Sequence, residues 1–342
     1  VSESLVLRGV NYDVGTRYLP GFVSRSAWNR RLVEHEIGVL ADDLHCTAVL
    51  LYGSELDRFA LPATAALDRG LSVWLQPRLV GATAAEQNAA LAETATLAER
   101  LRTAHPGRVT VAVGCELSLF GTGIVPGGTL RRRTVALTTT WPLLLWWYNR
   151  RLNAYLARVC RTVRDRFGGE VSYAAGSWES VDWTPFDVVG VNLYRDRSNA
   201  RNYAGTVRAL RRHGKPVVIT EFGCCAYVGA AAKGASGEHV VHWSPGGGTV
   251  KGSPRRDEDE QAGYLAELLA VFAAERVHGA FAFQFSEPFH PHSADPRHDL
   301  DLASYGVVKV LRESADTVDW EPKAAFHRLA ELYRPGAGTQ RV

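Results

Sequence analysis

Residues 215–223 read Lys215-Pro216-Val217-Val218-Ile219-Thr220-Glu221-Phe222-Gly223. Four β-branched residues in a row follow a proline and end on a carboxylate. Branching at Cβ restricts χ1 and favours a strand. The run shows no polar alternation, which marks a strand covered on both faces, as in a parallel sheet. Pro216–Thr220 is therefore read as a buried parallel strand, with Glu221 at its carboxyl end.

Working outward, seven further runs have the same character. Ser4–Val10, Thr47–Tyr52, Leu71–Gln76, Arg108–Gly114, Val171–Ala175 and Asp187–Leu193 precede it, and Gly279–Phe285 follows. Helix-like segments separate most of them: Arg30–Leu44, Ala84–Thr103, Asn149–Phe167, Tyr203–His213, Asp259–Arg276 and, last, Glu321–Tyr333. Eight strands alternating with helices predict an α/β fold of the closed (β/α)₈, or TIM-barrel, type. No linker or internal repeat divides the chain, so residues 1–342 are read as one domain. About a dozen residues join strands five and six, too few for a full crossover helix, so a one-turn or irregular connection is expected. The connections Gly223–Arg256 and Ser286–Val307 are long. They follow strands seven and eight, which in a barrel puts them at the mouth where active sites lie.

Composition excludes several classes. Apolar residues make up 46% and charged residues 22%, which is globular rather than disordered. The net charge of +3 is too balanced to mark a nucleic-acid protein. No apolar run approaches the ~20 residues that span a bilayer, so no membrane partner is expected. The start, Val1–Leu5, lacks a signal-peptide pattern. Five cysteines without a CxxC spacing argue against a disulfide framework or a structural zinc site. A cytoplasmic location without a cofactor is the expectation.

Two glutamates end strands: Glu116 the fourth and Glu221 the seventh. In a closed barrel both face one mouth, and two facing carboxylates are what glycosidic cleavage needs. Unrelated capping carboxylates are the competing reading. Polar and aromatic residues at the other strand ends suit a polyol, by hydrogen bonding and ring stacking. The candidate substrate-binding residues are Tyr12, Tyr52, Gln76, Cys115, Trp178, Asn192, Tyr194, Gln284 and Glu287, with Asn11, Asp13, Arg78 and Glu179 as neighbours.

Other features have plainer readings. Trp141–Tyr148 is either an aromatic lid for an apolar aglycone or, as favoured, the buried start of the fourth helix with Pro142 in its first turn. Cys115, Cys224 and Cys225 flank the glutamates but have no local His partner and read as small buried residues. His290, His292, Asp295, His298 and Asp299 lie in a proline-rich loop without a known metal-ligand spacing, so no metal is expected. Arg131–Arg133 and Arg255–Arg256 read as solvated loop charge. Gly246–Gly248 is a flexible loop rather than a phosphate cradle.

These motifs, in this order, resemble the clan of retaining β-glycosidases built on the (β/α)₈ barrel. Gly114-Cys115-Glu116 resembles the clan's acid/base motif and Lys215–Gly223 its nucleophile motif. Val191–Tyr194 resembles the strand-six motif, and Asp319–Lys323 the segment before the last helix. The chain also resembles bacterial glycosidase-like proteins sometimes labelled "abortive infection", a label that carries no mechanism. The resemblance implies a glycoside hydrolase acting on a small glycoside or oligosaccharide. Glu116 would be the acid/base, kept protonated by burial and by the Glu221 charge. Glu221 would be the ionised nucleophile, hydrogen-bonded by Tyr194.

Three departures stand out. Cys115 replaces the clan's Asn, Leu50 replaces its strand-two Arg, and Phe283–Phe285 replaces its strand-eight Trp. They favour, as alternatives, a changed reaction (dehydration, cyclisation or isomerisation) or a non-catalytic carbohydrate-binding barrel.

Overall fold

The computed structural model describes residues 5–139, 142–244 and 247–336. Seven parallel strands come first: β1 (Leu7–Asp13), β2 (Ala48–Gly53), β3 (Ser72–Pro77), β4 (Val109–Cys115), β5 (Glu170–Ala175), β6 (Val189–Asn192) and β7 (Val217–Phe222). A hairpin, β8 (Val241–Ser244) and β9 (Gly247–Val250), then occupies the loop after β7. The eighth barrel strand, β10 (Gly279–Ala282), closes the ring between β7 and β1. The fold is the (β/α)₈ barrel read from the sequence. A second hairpin, β11 (Val308–Glu313) and β12 (Val318–Pro322), follows.

The helices are α1 (Arg30–Asp42), α2 (Ala60–Asp68), α3 (Ala84–Ala104), α4 (Leu117–Phe120), α5 (Leu130–Thr139), α6 (Pro142–Arg164), α7 (Tyr203–Leu210), α8 (Glu258–Ala274) and α9 (Ala324–Tyr333). Their starts are chemically marked. Asn29 caps α1, Asp257 caps α8, and Thr83 with Glu86 forms a capping box on α3. No helix lies between β5 and β6. There Lys215 Nζ donates to the carbonyls of Trp183 (2.6 Å), Thr184 (3.0 Å) and Phe186, which ties down an irregular segment.

The two-residue period of each strand sorts side chains into two cores. Leu50, Trp74, Ala112, Val188, Val218 and Phe281 fill the barrel interior. Val10, Val49, Leu51, Val73, Leu75, Val111 and Ile219 point outward, into the core that the helices cover. Trp74 packs on Phe281 with ring centroids 5.6 Å apart. Truncating a buried ring of this kind costs about 3–5 kcal/mol. Strands approach closely at Gly9, where a Cβ would lie 2.2 Å from the Ala48 carbonyl oxygen.

Five sequence expectations change, beginning with Gly247 and Gly248, which were expected in a flexible loop and instead pair in β9 opposite Ser244 and Trp243, because the backbone there closes a hairpin. The last helix begins at Ala324, not Glu321, because Val318–Pro322 pairs as β12 and Pro322 offers no N–H to a helix. α2 and α5 were not read, being short and rich in small or polar residues. Arg133 is not solvated loop charge: it is buried and donates to the carbonyls of Leu119 (2.6 Å) and Gly127 (3.0 Å). Arg256 is likewise engaged, with Asp299 and Asp301, both at 2.8 Å. Val1, Trp141 and Gly246 lie outside the described residues.

Candidate active site

The fourth strand ends in a turn that reverses the chain tightly. Gly114 (φ 144°) precedes Cys115, and Glu116 itself takes the left-handed conformation (φ 42°, ψ 50°). Non-glycine residues hold this conformation at a cost, when their surroundings over-determine it. Here Glu179, from the segment after β5, pins the turn. It accepts from the Ser118 amide (3.0 Å), the Gly176 amide (3.0 Å) and the Tyr173 hydroxyl (2.8 Å), while Tyr173 accepts from the Leu117 amide (2.7 Å).

Glu116 is thereby aimed at Asn192, whose Nδ2 donates to its Oε1 at 3.0 Å. The same Nδ2 lies 3.3 Å from Cys115 Sγ, and Asn192 Oδ1 accepts from Thr220 Oγ1 at 2.7 Å. The Thr220 hydroxyl fixes which end of the amide faces Glu116. Asn192 and Glu221 are register partners in β6 and β7, so strand pairing itself brings this amide between the two glutamates.

Glu221 is 5% exposed and has three side-chain partners. The Tyr194 hydroxyl donates to Oε2 at 3.0 Å. The Cys115 thiol lies 3.6 Å from Oε1, and the Arg78 guanidinium donates to the same oxygen. Arg78 also donates to Gln76 Oε1 at 2.7 Å and lies 4.1 Å above the Tyr52 ring. Its charge is screened from solvent by that ring and by Phe120 and Phe283. Tyr18, from the loop after β1, lies beside it and interacts with its charge.

Leu50 belongs to the apolar layer of the interior, two residues below Tyr52 on the same face. The cation beside Glu221 is delivered instead from Arg78, just beyond β3. The sequence placed Arg78 at a strand end without assigning it this contact. Only closure of the barrel shows that the end of β3 reaches β7.

Burial, followed by the negative charge of Glu221, raises the Glu116 carboxyl from 4.5 to about 8, against the opposing Asn192 hydrogen bond. Burial also raises the Cys115 thiol well above its usual value. Arg78 opposes that shift, while Glu221 and Glu116 reinforce it. Cys115 is thus a neutral thiol rather than a thiolate nucleophile.

The Glu116 shift has a consequence for stability. The folded carboxyl holds its proton up to about pH 8, whereas an unfolded one releases it near 4.5. Stability contributed at this position therefore falls as pH rises through that window. Glu116→Gln should flatten the pH dependence of urea unfolding between pH 5 and 8 and gain about 2–3 kcal/mol at the upper end. Parallel curves for the two proteins would refute the shift.

Other candidates fall into place around this centre. Gln284 accepts from the Tyr52 hydroxyl and donates to Glu287 Oε1 at 2.7 Å. Burial would raise Glu287, but hydrogen bonds from His290 and Gln284 outweigh it and hold the carboxyl low. Trp178 donates from Nε1 to Ser118 Oγ (2.9 Å) beside the Glu116 turn and stays 38% exposed. Trp243, on β8, is 52% exposed and tilts over the His290 ring at 5.7 Å. It went unnoticed in the sequence because nothing local marks a hairpin tip as part of a mouth.

Tyr12 is not brought to the mouth. Its neighbours Asn11 and Asp13 take the inward positions of β1, so Tyr12 faces α1 and donates to Glu36 Oε2 at 2.6 Å. The histidine loop is held by an arginine ion pair and by histidine–carboxylate hydrogen bonds. Asp299 binds Arg256 and His292, Glu287 binds His290, and Asp295 binds His298 at the surface. Among the described residues, no group of three or more His, Cys, Asp or Glu side chains converges as metal ligands. Cys224 and Cys225 are buried, and burial raises both thiols.

No protein-family profile and no curated protein matches the chain. Solved structures do match, over 96% of it. A GH113 β-1,4-mannanase aligns with a TM-score of 0.61 and 14% identity over 99% of its own length. The GH113 β-mannanase AaManA from Alicyclobacillus acidocaldarius, in complex with ManMIm, aligns at 0.58 with 17% identity over 97% of its length. Bacteroides uniformis β-glucuronidase 2, covalently bound to a cyclophellitol-6-carboxylate aziridine, aligns at 0.59 with 15% identity, over 35% of its length. At these identities the likeness is one of fold: a (β/α)₈ barrel of the kind glycoside hydrolases use.

Proposed function

We propose that the protein is a glycoside hydrolase that cleaves a β-glycosidic bond with retention, Glu221 acting as nucleophile and Glu116 as acid/base. The observation that carries this reading is the contrast between the two carboxyls. Glu116 is protonated at neutral pH with its value raised to about 8, while Glu221 lies against a buried guanidinium and a tyrosine hydroxyl. A carboxyl kept protonated beside a second carboxyl that faces a guanidinium and a hydroxyl suits an acid paired with a nucleophile.

In the first step a Glu221 oxygen attacks the anomeric carbon. The bond to the leaving oxygen breaks, and that oxygen takes the Glu116 proton. The ester so formed removes the Glu221 charge, which is one of the causes holding Glu116 high. Glu116 then becomes the better base for the second step. It takes a proton from water, which attacks the anomeric carbon and frees Glu221. Asn192 keeps Glu116 oriented through both steps. Trp178 and Trp243 offer exposed ring faces for sugar stacking at the mouth.

Arg78 supplies the charge that Leu50 does not, which weakens the case for a changed reaction. Cys115 remains a departure, offering a thiol where the clan offers an amide to the sugar 2-hydroxyl.

The test is hydrolysis of activated aryl β-glycosides, β-mannosides and β-glucuronides among them because the structural neighbours carry those names. It is followed by the 2-deoxy-2-fluoro analogue of whichever glycone turns over. A stable adduct on the peptide containing Glu221 is expected by mass spectrometry. Turnover with the adduct elsewhere, or with inverted product, would sink the mechanism. No turnover by folded protein across the panel would shift the assignment to the changed-reaction reading.

A further inference from the structure

The exposed faces of α5 and of the first half of α6 stand apart from the rest of the surface. Between Glu116 and Asp165 the sequence contains eight arginines and no lysine, aspartate or glutamate, whereas the rest of the chain is net acidic. On α6 the arc facing solvent carries Trp146 (63% exposed), Arg150, Trp147 (40%), Arg151 and Leu144 (47%), while Tyr148, Leu152 and Leu156 face the core. Arg150 lies over the Trp146 ring at 5.8 Å and Arg151 over Trp147 at 4.4 Å. Val135 on α5 is 53% exposed, as are Arg131 and Arg132 nearby. The favoured reading of Trp141–Tyr148 as a buried helix start thus fails for Leu144, Trp146 and Trp147.

The exposed start of α6 lies at the mouth end of the barrel. Asn149 Oδ1 accepts from the Ser180 amide (2.9 Å), and Asn153 from the Asp182 amide (2.8 Å), which ties this part of α6 to the segment joining β5 to β6 at the barrel mouth. Arg151 donates to the Gly123 carbonyl, and Arg133 holds the loop that begins at Glu116, so both helices are tied to the site's own loop.

We propose that these exposed faces of α5 and α6 dock the protein on an anionic lipid bilayer, with the barrel mouth turned toward the membrane. Indole rings and a leucine on the exposed face of a helix suit insertion at headgroup depth. Arg131, Arg132 and Arg150 are exposed, lie in a stretch of sequence without acidic residues and suit anionic headgroups, each near the surface adding measurably to binding. The sequence expectation of no membrane partner rested on the absence of a spanning segment, and peripheral docking needs none. Among the described residues no helix is long and apolar enough to cross a membrane. The proposal is independent of the reaction catalysed.

The test is flotation of the full chain with extruded vesicles of phosphatidylcholine containing about 30% phosphatidylglycerol, beside pure phosphatidylcholine. Binding is expected to the anionic vesicles and to be at least about tenfold weaker to the neutral ones. Trp146→Ala with Trp147→Ala should weaken it about tenfold or more. Arg131→Gln with Arg132→Gln and Arg150→Gln should cost about a hundredfold and erase the preference for charge. These side chains are exposed, and circular dichroism and melting check that the variants fold. Failure to float with anionic vesicles, or binding indifferent to the tryptophans, would overturn the proposal. So would tryptophan-dependent dimerisation in light scattering without vesicle binding, which would make the patch an interface between copies.

Discussion

Glu221→Ala should lose turnover on the order of 10⁶-fold, the scale seen when a covalent nucleophile is removed. Added azide should restore part of it and release the α-glycosyl azide. The truncated side chain leaves room for an anion beside Arg78 and Tyr194, whose donors then face a vacant position. Azide attacks the anomeric carbon from that side, so the product has the opposite configuration to the substrate. Glu116→Ala should behave differently. Its loss should be about 10²–10⁴-fold on substrates with poor leaving groups, the usual worth of a general acid. It should be slight for the first step on a dinitrophenyl glycoside, whose leaving group needs no proton. Azide should rescue this variant with the β-glycosyl azide, because attack then comes from the Glu116 side of the ester. Two variants giving the same azide anomer, or no rescue in either, would remove the assigned roles.

Arg78→Met should lower kcat/KM about 10²–10³-fold and destabilise the protein by about 3 kcal/mol. The reason lies in what is left behind. Arg78 is 3% exposed and is the cation that contacts Glu221; without it a buried carboxylate keeps only a tyrosine hydroxyl and a thiol as partners. Breaking one side of a buried pair costs far more than replacing both. Combining Arg78→Met with Glu221→Gln should therefore recover most of the lost stability in urea unfolding, although activity stays absent. Guanidinium in the assay should restore part of the single variant's activity. Arg78→Lys should retain stability better than Met yet fall short in rate. A lysine ammonium keeps the charge but lacks the planar fork that serves Gln76 and Glu221 together. Unchanged kinetics in Arg78→Met would show that the relocated cation does not serve the site.

The strands and their carboxylates could be read from the chain because the information is local. A β-branched run such as Val217–Thr220 declares a buried strand, and eight such runs alternating with helical segments leave few folds to choose from. Glu116 and Glu221 could be paired from sequence for the same reason: both end parallel strands, and a closed barrel sends all strand ends to one mouth.

Contacts across the ring were settled by register, closure and loop packing. Whether Tyr12 or Asn11 faces inward depends on a one-residue phase that β1 does not declare, because its polar residues Arg8 and Asn11 fall on opposite phases. The resemblance puts a cation on β2, where this chain has Leu50, and the cation beside Glu221 comes instead from past the end of β3, because barrel closure and side-chain length decide which arginine reaches a given carboxylate. The exposure of Trp146 and Trp147 depends on which face α6 turns to the core, where Tyr148 and Leu152 are buried. Where Asn149 and Asn153 meet the segment after β5 fixes that setting, not the apolarity of the residues themselves. Local propensity and burial thus determined the barrel and its two glutamates. The tertiary structure decided the charge around Glu221, the left-handed turn that aims Glu116 and the rings left in solvent, since each arises between residues far apart in the chain.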